Sequence, residues 1–502
     1  MIRNKWTLAL GVLAMALNAC IKDHNPQPVL SENAAAFREV STTTLGGEAA
    51  AEISAYDPAT KRLFTVNNAS KALVDVLDFS SFPAKKIQSI DISTLGGVAN
   101  SVAISDGKLA VALEATNKQA NGKVIVINTN TLTELKQITV GALPDMVTFS
   151  PDGKYIVTAN EGEPNAAYTN DPEGSVSIID VTNNYSVKTV NFTAFASLQS
   201  QLVAGGFRTF GPNAGDFSKD IEPEYVAISE DSKKAWVTLQ ENNAIAEVDL
   251  ISGTILKINP LGTKDYSVAM NAIDASNADG KIELKTWPVK SYYMPDAISY
   301  FKIGGTGYLI TANEGDARDY TAFKEEARVS TLKLDPSKFP NATELQKNEN
   351  LGRLNVTTTA GKNSAGLYEE LYGFGGRGFS IFNASTGQQV FEIGKALEEE
   401  VIKAGKYDDS RSDDKGVEPE GVTIGIVNGK TIAFVGLERA DAIAVYDVTN
   451  PTAPKFLQLI ATGDAPEGVL FISADKSPNG RSMLVVSSEG DGTVKVYQPD
   501  LL

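Results

Sequence analysis

Fourteen polar residues recur in two registers along the chain, and twelve of them are carboxylates. The first register is Glu52, Asn100, Asp145, Glu224, Asp296, Glu420 and Glu467; the second is Asn68, Glu114, Glu161, Glu241, Glu314, Glu438 and Glu489. Carboxylates gathered in such numbers repel one another unless some are protonated, paired with a base or bound to a cation. All-oxygen ligands suit Ca²⁺ or Mg²⁺, and Mn²⁺ less exclusively. Cations so held would bind a phosphate ester and activate water, with a nearby glutamate accepting a proton. The competing role for any single acid is to cap a loop and accept backbone N–H bonds inside its own repeat.

The segments that carry these residues repeat. Residues 144–161 (PDMVTFSPDGKYIVTANE), 223–241 (PEYVAISEDSKKAWVTLQE) and 466–489 (PEGVLFISADKSPNGRSMLVVSSE) each read as strand, polar turn and strand. Val, Ile, Phe and Tyr alternate in them with small or polar residues, the period of a half-buried strand. Third strands follow as VIVIN, SVSIIDV, IAEVDL, IAVYDV and VKVYQ, and segments such as LTELKQITVG supply a fourth. Four antiparallel strands recurring at about forty to fifty residues predict an all-β fold, a seven-bladed β-propeller closed into a ring without free edges. The last unit stops one strand short, and residues 37–45 read as the strand that closes it. The 124-residue interval from Asp296 to Glu420 has room for an eighth blade, with GRGFSIFNASTGQQVFEIG as a strand pair, but only seven complete inner pairs are visible. Adjacent strands of a blade run in opposite directions, so the start of the innermost and the end of the second share a face. Both registers therefore ring one mouth of the central channel.

Composition narrows the chemistry. A length of 502 residues with 42% apolar content supports one large core, and a formal charge of −17 disfavours nucleic acid and anionic membrane surfaces. Losing Arg3 and Lys5 with a leader takes −17 to −19. The only histidine is His24 and the only cysteine is Cys20, both ahead of the repeats. That excludes Ser-His-Asp, Cys-His and phosphohistidine chemistry from the folded body, and zinc held by His or Cys. A phosphate site would then draw on Arg318, Arg377 or Arg439, each beside a predicted mouth loop, where a guanidinium can grip two anionic oxygens. Each arginine is equally able to neutralise a neighbouring carboxylate. Under the hydrolytic reading, Glu161, Glu314 and Glu438 with the three arginines are the catalytic candidates. Asp145, Glu224, Glu241, Asp296, Glu420, Glu467 and Glu489 are then the metal-ligand candidates, for a cation that is calcium before magnesium or manganese.

Other segments read more plainly. DASNADGKIE at 274–283 has the composition of a calcium loop, but Asp274, Asn277 and Asp279 miss the twelve-residue spacing, so a turn is expected. DDSRSDD at 408–414 reads as a solvated loop or an acidic lid, and residues 396–404 as a short charged helix. Gly373, Gly375, Gly376 and Gly378 allow close backbone approach without any nucleotide-binding spacing.

The N-terminus has a basic start, an apolar run over residues 6–17 and Leu17-Asn18-Ala19-Cys20, which resembles the bacterial lipobox with an acylated cysteine. The expected organisation is a signal peptide over 1–19, a lipidated cysteine and tether over 20–35, and one propeller over 36–502 with insertions near 181–220, 255–294 and 320–417. Lys22-Asp23 resembles a charged export tag, which points to outward display. Expected partners are the membrane through acylated Cys20, and either a phosphorylated small molecule or a surface protein or glycan. Nucleic acid is not expected, and the chain is expected to be a monomer in the cell envelope, at the outer membrane.

The motifs ANEGE at 159, DIEPEYV at 220, ANEGDARDY at 312, YGFGGRGFSIF at 372, VEPEGV at 417, GLERADAIAVYD at 436 and GDAPEGVLFIS at 463 resemble the choice-of-anchor I family over roughly residues 40–500. That family also resembles the mesenchyme-specific cell-surface glycoprotein group, and its members are often labelled alkaline-phosphatase-like. The resemblance implies an exported propeller with variable means of surface attachment, and leaves open whether it is a metal-dependent phosphoric ester hydrolase or a binding or scaffold protein with structural calcium. The lipobox reading predicts that labelled palmitate is incorporated by the full-length chain in a lipoprotein-competent bacterium and lost in Cys20→Ser. Equal labelling of both chains would refute acylation at Cys20.

Overall fold

The computed structural model describes residues 30–502, so the leader, Cys20, His24 and most of the tether lie outside the described residues. Seven four-stranded antiparallel sheets follow one another as the blades of a β-propeller, covering residues 54–91, 99–142, 144–191, 223–260, 298–392, 419–461 and 466–501. Alternation of β-branched and aromatic residues gives each blade two apolar faces, and neighbouring blades bury them against each other. Between blades three and four, for example, Val157, Val176, Ile178, Val226, Val237 and Val248 form one continuous cluster.

The seventh blade is completed by the N-terminal strand Glu32–Thr44, which runs antiparallel to Thr493–Leu501 from Glu32 opposite Leu501 to Thr44 opposite Thr493. The strand starts at Glu32, so residues 32–35, expected in the tether, are part of the sheet. Phe37 fixes it to blade six. Its ring meets Phe434 edge-on at 5.2 Å, its N–H donates to Gln458 Oε1 at 2.8 Å, and its carbonyl accepts from Gln458 Nε2 at 3.0 Å.

The segment expected as a further strand pair supplies the third and fourth strands of blade five, Gly378–Asn383 and Gln389–Glu392, so the described residues form seven blades and not eight. Insertion bounds shift for the same reason. Ser186–Asn191 and Thr254–Pro260 are outer blade strands, which moves the first two insertions to 192–222 and 261–297. The third splits into 314–377 and 393–418 around the outer strands of blade five. All four insertions leave from the face where the inner strands begin, whereas the other face carries turns no longer than the 473–482 loop. The insertions fold together as a cap with its own core of Tyr266, Val289, Val329, Phe339, Leu351 and Tyr368. The expected charged helix is Ala396–Lys403, with Leu397 and Val401 buried.

Truncating Phe37 to alanine removes a fully buried aromatic ring from the closing seam, which costs about 3–5 kcal/mol. For a chain of this length that lowers the melting temperature by about 3–5 °C. A shift under about 1 °C would show that the N-terminal strand does not hold the ring shut.

Candidate functional site

The first register converges on the channel axis through a repeated backbone device. Pro144-Asp145, Pro223-Glu224, Pro295-Asp296, Pro419-Glu420 and Pro466-Glu467 each open an inner strand with proline followed by an acid. The pairing register slips at the acid in four of these strands, and again at Asn100 in blade two. Such bulges re-aim a side chain relative to the sheet. In four blades the residue before proline is left-handed, with φ of 49° at Leu143, 49° at Met294, 47° at Glu418 and 52° at Ala465. For residues other than glycine that conformation costs about 1–2 kcal/mol each, so the packing of those four blades holds each acid in place against local preference.

The product is an axial cavity of about 110 Å³ lined by Asn100, Asp145, Glu224, Asp296, Glu420 and Glu467. Glu52 stands at its edge, its two oxygens accepting from Asn68 Nδ2 at 3.0 and 2.7 Å. Among the described residues no lysine, arginine or side-chain hydrogen-bond donor meets the carboxylates of Asp145, Glu224, Asp296, Glu420 or Glu467. One oxygen each of Glu224 and Glu467 is buried without any partner. Burial, followed by repulsion from the neighbouring acids, pushes Glu224, Asp296, Glu420 and Glu467 well above the usual carboxylate range. The same causes raise Asp145 to about 7, as they do Glu52, whose Asn68 bonds pull the other way.

The second register forms a tier above the ring, and here bases intervene. Glu314, Glu418 and Glu438 bring carboxylate oxygens within 4.8 Å of one another, the one such convergence among the described residues. Glu418 is held by Arg411 at 2.6 Å, Arg439 at 3.5 Å and Lys415 at 3.6 Å. Arg439 also pairs with Glu438 at 2.9 Å, and Gln240 donates to Glu314 at 2.8 Å. Glu161, Glu241 and Glu489 have no ion pair among the described residues; burial raises all three, Glu241 to about 7. Glu114 pairs with Lys118 at 3.6 Å.

Two of the arginine candidates do not serve this mouth. Arg318 is buried in the cap, bonded to Asp220 at 2.6 Å and Glu222 at 2.9 Å with its guanidinium over Phe210. Arg377 is 2% exposed; it donates to the carbonyls of Asp274, Ser412 and Asp414 at 2.8–2.9 Å and lies 3.7 Å from Glu398. Both knit insertions together and neither lines an open pocket, because folding the cap buries charges that only an internal partner can satisfy. Arg439 alone is half exposed beside the acids. The 274–283 segment is a turn, Asp274 accepting from the N–H groups of Ser276 and Glu283. The 408–414 segment is not a free lid: Asp408 and Ser410 are exposed as in a solvated loop, but Asp413 is buried between Arg328 and Arg353 at 2.7 and 2.9 Å. Gly375, with φ of 74°, packs so closely on the Glu314 carbonyl that a Cβ there would clash with it.

Glu222 and Glu418 were not among the sequence candidates. Their signal was present as Glu-Pro-Glu at 222–224 and 418–420, in which the first glutamate takes an arginine and the second lines the ring.

Comparison with known proteins agrees with this architecture. The choice-of-anchor I domain profile matches residues 52–451. The chain belongs to the choice-of-anchor I family. Within the family's reach, it is 28% identical over 187 residues to Gigasin-3a of Magallana gigas, covering 30% of this chain and 66% of that protein. It is 29% identical over 349 residues to the mesenchyme-specific cell surface glycoprotein of Strongylocentrotus purpuratus, covering 58% and 44%. The chain thus spans under two thirds of the length of either relative. Among solved structures, Kuenenia stuttgartiensis hydrazine synthase superposes with a TM-score of 0.50 at 13% identity, covering 91% of this chain and 97% of that one, a likeness of fold alone.

The raised carboxylates fix the sign of a pH effect. An acid whose folded pKa lies above its unfolded one holds a proton the unfolded chain releases, so its stabilising contribution is complete below the unfolded value and lost as pH rises through the folded one. For Glu52, Glu241 and Glu438 that window runs from 4.5 to about 7. Chelator-treated protein is therefore expected to melt at progressively lower temperature as pH rises from about 5 to about 8. A melting temperature constant or rising over that interval would contradict the electrostatics assigned to the ring.

Proposed function

We propose that this choice-of-anchor I protein is a cell-surface propeller that takes up a hard divalent cation, calcium best of all, on its axis, and that it works as a binding protein rather than as a phosphoesterase. The observation that carries this reading is the contrast between the two tiers. Five ring carboxylates have no basic partner, whereas Glu418, at the centre of the upper convergence, has three. A cation gains most where no fixed positive charge competes with it, so the axial ring, and not the upper cluster, is its place. Fewer than three ring oxygens approach within 4.8 Å of one another, so an ion on the axis would keep part of its water, with carboxylates completing the shell. Calcium tolerates such irregular oxygen geometry better than magnesium.

Hydrolysis has one observation in its favour, the half-exposed Arg439 beside Glu314, Glu418 and Glu438. It lacks the arginine-lined pocket that Arg318 and Arg377 would have supplied. In the binding reading the cap, which frames the ring, meets a protein or glycan partner, and the cation stiffens the mouth below it.

Calorimetric titration of calcium into chelator-treated protein near pH 8 is expected to show saturable binding. Glu224→Gln combined with Glu467→Gln should weaken it at least tenfold, about 1.4 kcal/mol, and Glu438→Gln by under about threefold. Calcium at about one hundred times its dissociation constant should add about 2.7 kcal/mol, or roughly 3 °C in melting temperature. No turnover of phosphomonoesters or phosphodiesters is expected with calcium, magnesium or manganese. Turnover abolished by chelation and by Glu314→Gln would overturn the proposal in favour of the hydrolase.

A further inference from the structure

We infer that the face opposite the carboxylate ring lies against a lipid bilayer, so that the ring and its cap point away from the membrane. The inference rests on the anchored reading of Cys20 and adds an orientation to it.

The direction of the closing strand is the first argument. Thr44, at its end, pairs with Thr493 just past the ring-face residue Glu489, while Glu32, at its start, pairs with Leu501 at the far end of the same strand. The chain before Glu32 therefore leaves from the turn face. Local contacts agree: Ser31 Oγ lies 3.5 Å from Asn428 Nδ2, in the turn between Val427 and Lys430, and the Ser31 carbonyl accepts from the Leu502 N–H at 2.9 Å.

Chain length is the second argument. Nine residues lie between Cys20 and Leu30, making ten Cα-to-Cα steps. Fully extended they reach at most ~35 Å. The strand Glu32–Thr44 lies against the nine residues Thr493–Leu501, so the blade rises ~30 Å from the turn face to the ring face. Even fully extended, the tether thus exceeds the blade's height by only ~5 Å, too little to carry an acyl group on Cys20 past the cap that stands on the ring face.

Shape and charge give the same answer. Every long insertion stands on the ring face, leaving the turn face low. That face exposes Leu30, Ile251 and Ile426, and opens into a channel mouth of about 770 Å³ lined by Phe149, Ile424, Ile426, Leu470 and Phe471. A ring of unpaired carboxylates turned toward anionic headgroups would be repelled, and facing outward it meets the medium from which a cation must come.

The test uses the full-length acylated chain in liposomes that carry an acceptor dye on their headgroups. Cys20 is the only cysteine, and acylation blocks it, so one introduced thiol labels selectively. Donor dye goes on Asn130→Cys, in a turn-face loop of blade two, on Asn117→Cys, in a ring-face loop of the same blade, and on Ser385→Cys, in a turn-face loop of blade five. Energy transfer from positions 130 and 385 at least twice that from 117 is expected. Equal transfer from 130 and 117, as for a propeller lying on its side, or stronger transfer from 117, would overturn the orientation alone. A full-length chain that fails to float with the vesicles, or a Cys20→Ser chain that floats as well, would overturn the anchored reading and this inference with it.

Discussion

Mutual repulsion of carboxylates that cannot reach bulk water is the constraint around which this molecule is organised. Seven inner strands converge on one axis, and five of them deliver an acid to it with no base in contact. Nothing local favours that arrangement: left-handed residues before proline in four blades, and register slips in five, cost energy where they occur. It persists because the blades are wedged together by apolar faces around a complete circle, and because Glu32–Thr44 closes the circle. Stability of the ring of charge is thus a property of the closed fold and not of any one blade.

The upper tier shows how the same problem is handled where the fold supplies partners. The 393–418 insertion brings Arg411 and Lys415 to Glu418, short blade loops bring Arg439 to Glu438 and Gln240 to Glu314, and the cap brings Arg318 to Asp220 and Glu222. These buried pairs hold the cap together, since removing either member would strand a charge in a dry site. The axis receives no such help, and that difference separates a structural ion-pair network from a place where a mobile cation is favoured.

Much of this was legible in the sequence because repetition makes position meaningful. Strand alternation and the recurrence of the two polar registers pointed to seven blades and to a shared face for both registers, and the missing last strand pointed to closure from the N-terminus. Legibility ended where repetition ended. Arg318 and Arg377 sit beside mouth motifs in sequence, yet the cap turns both guanidinium groups inward to Asp220, Glu222 and Glu398. Lys415 and Arg411 come from a part of the 393–418 insertion that does not repeat in other blades, so no periodic signal marked them as partners of Glu418. The Glu-Pro-Glu repeat at 222 and 418 was the one available clue, and its meaning depends on arginines about one hundred residues away in one case and seven in the other.

The account turns on where a cation sits. The most direct measurement is an anomalous difference map from crystals of residues 30–502 grown near pH 8 and soaked with Mn²⁺ as a scattering stand-in for calcium. A peak on the channel axis among Asp145, Glu224, Asp296, Glu420 and Glu467 is the predicted result. A peak at Glu314, Glu418 and Glu438 with the axis bare would contradict it and move the functional centre to the upper cluster beside Arg439.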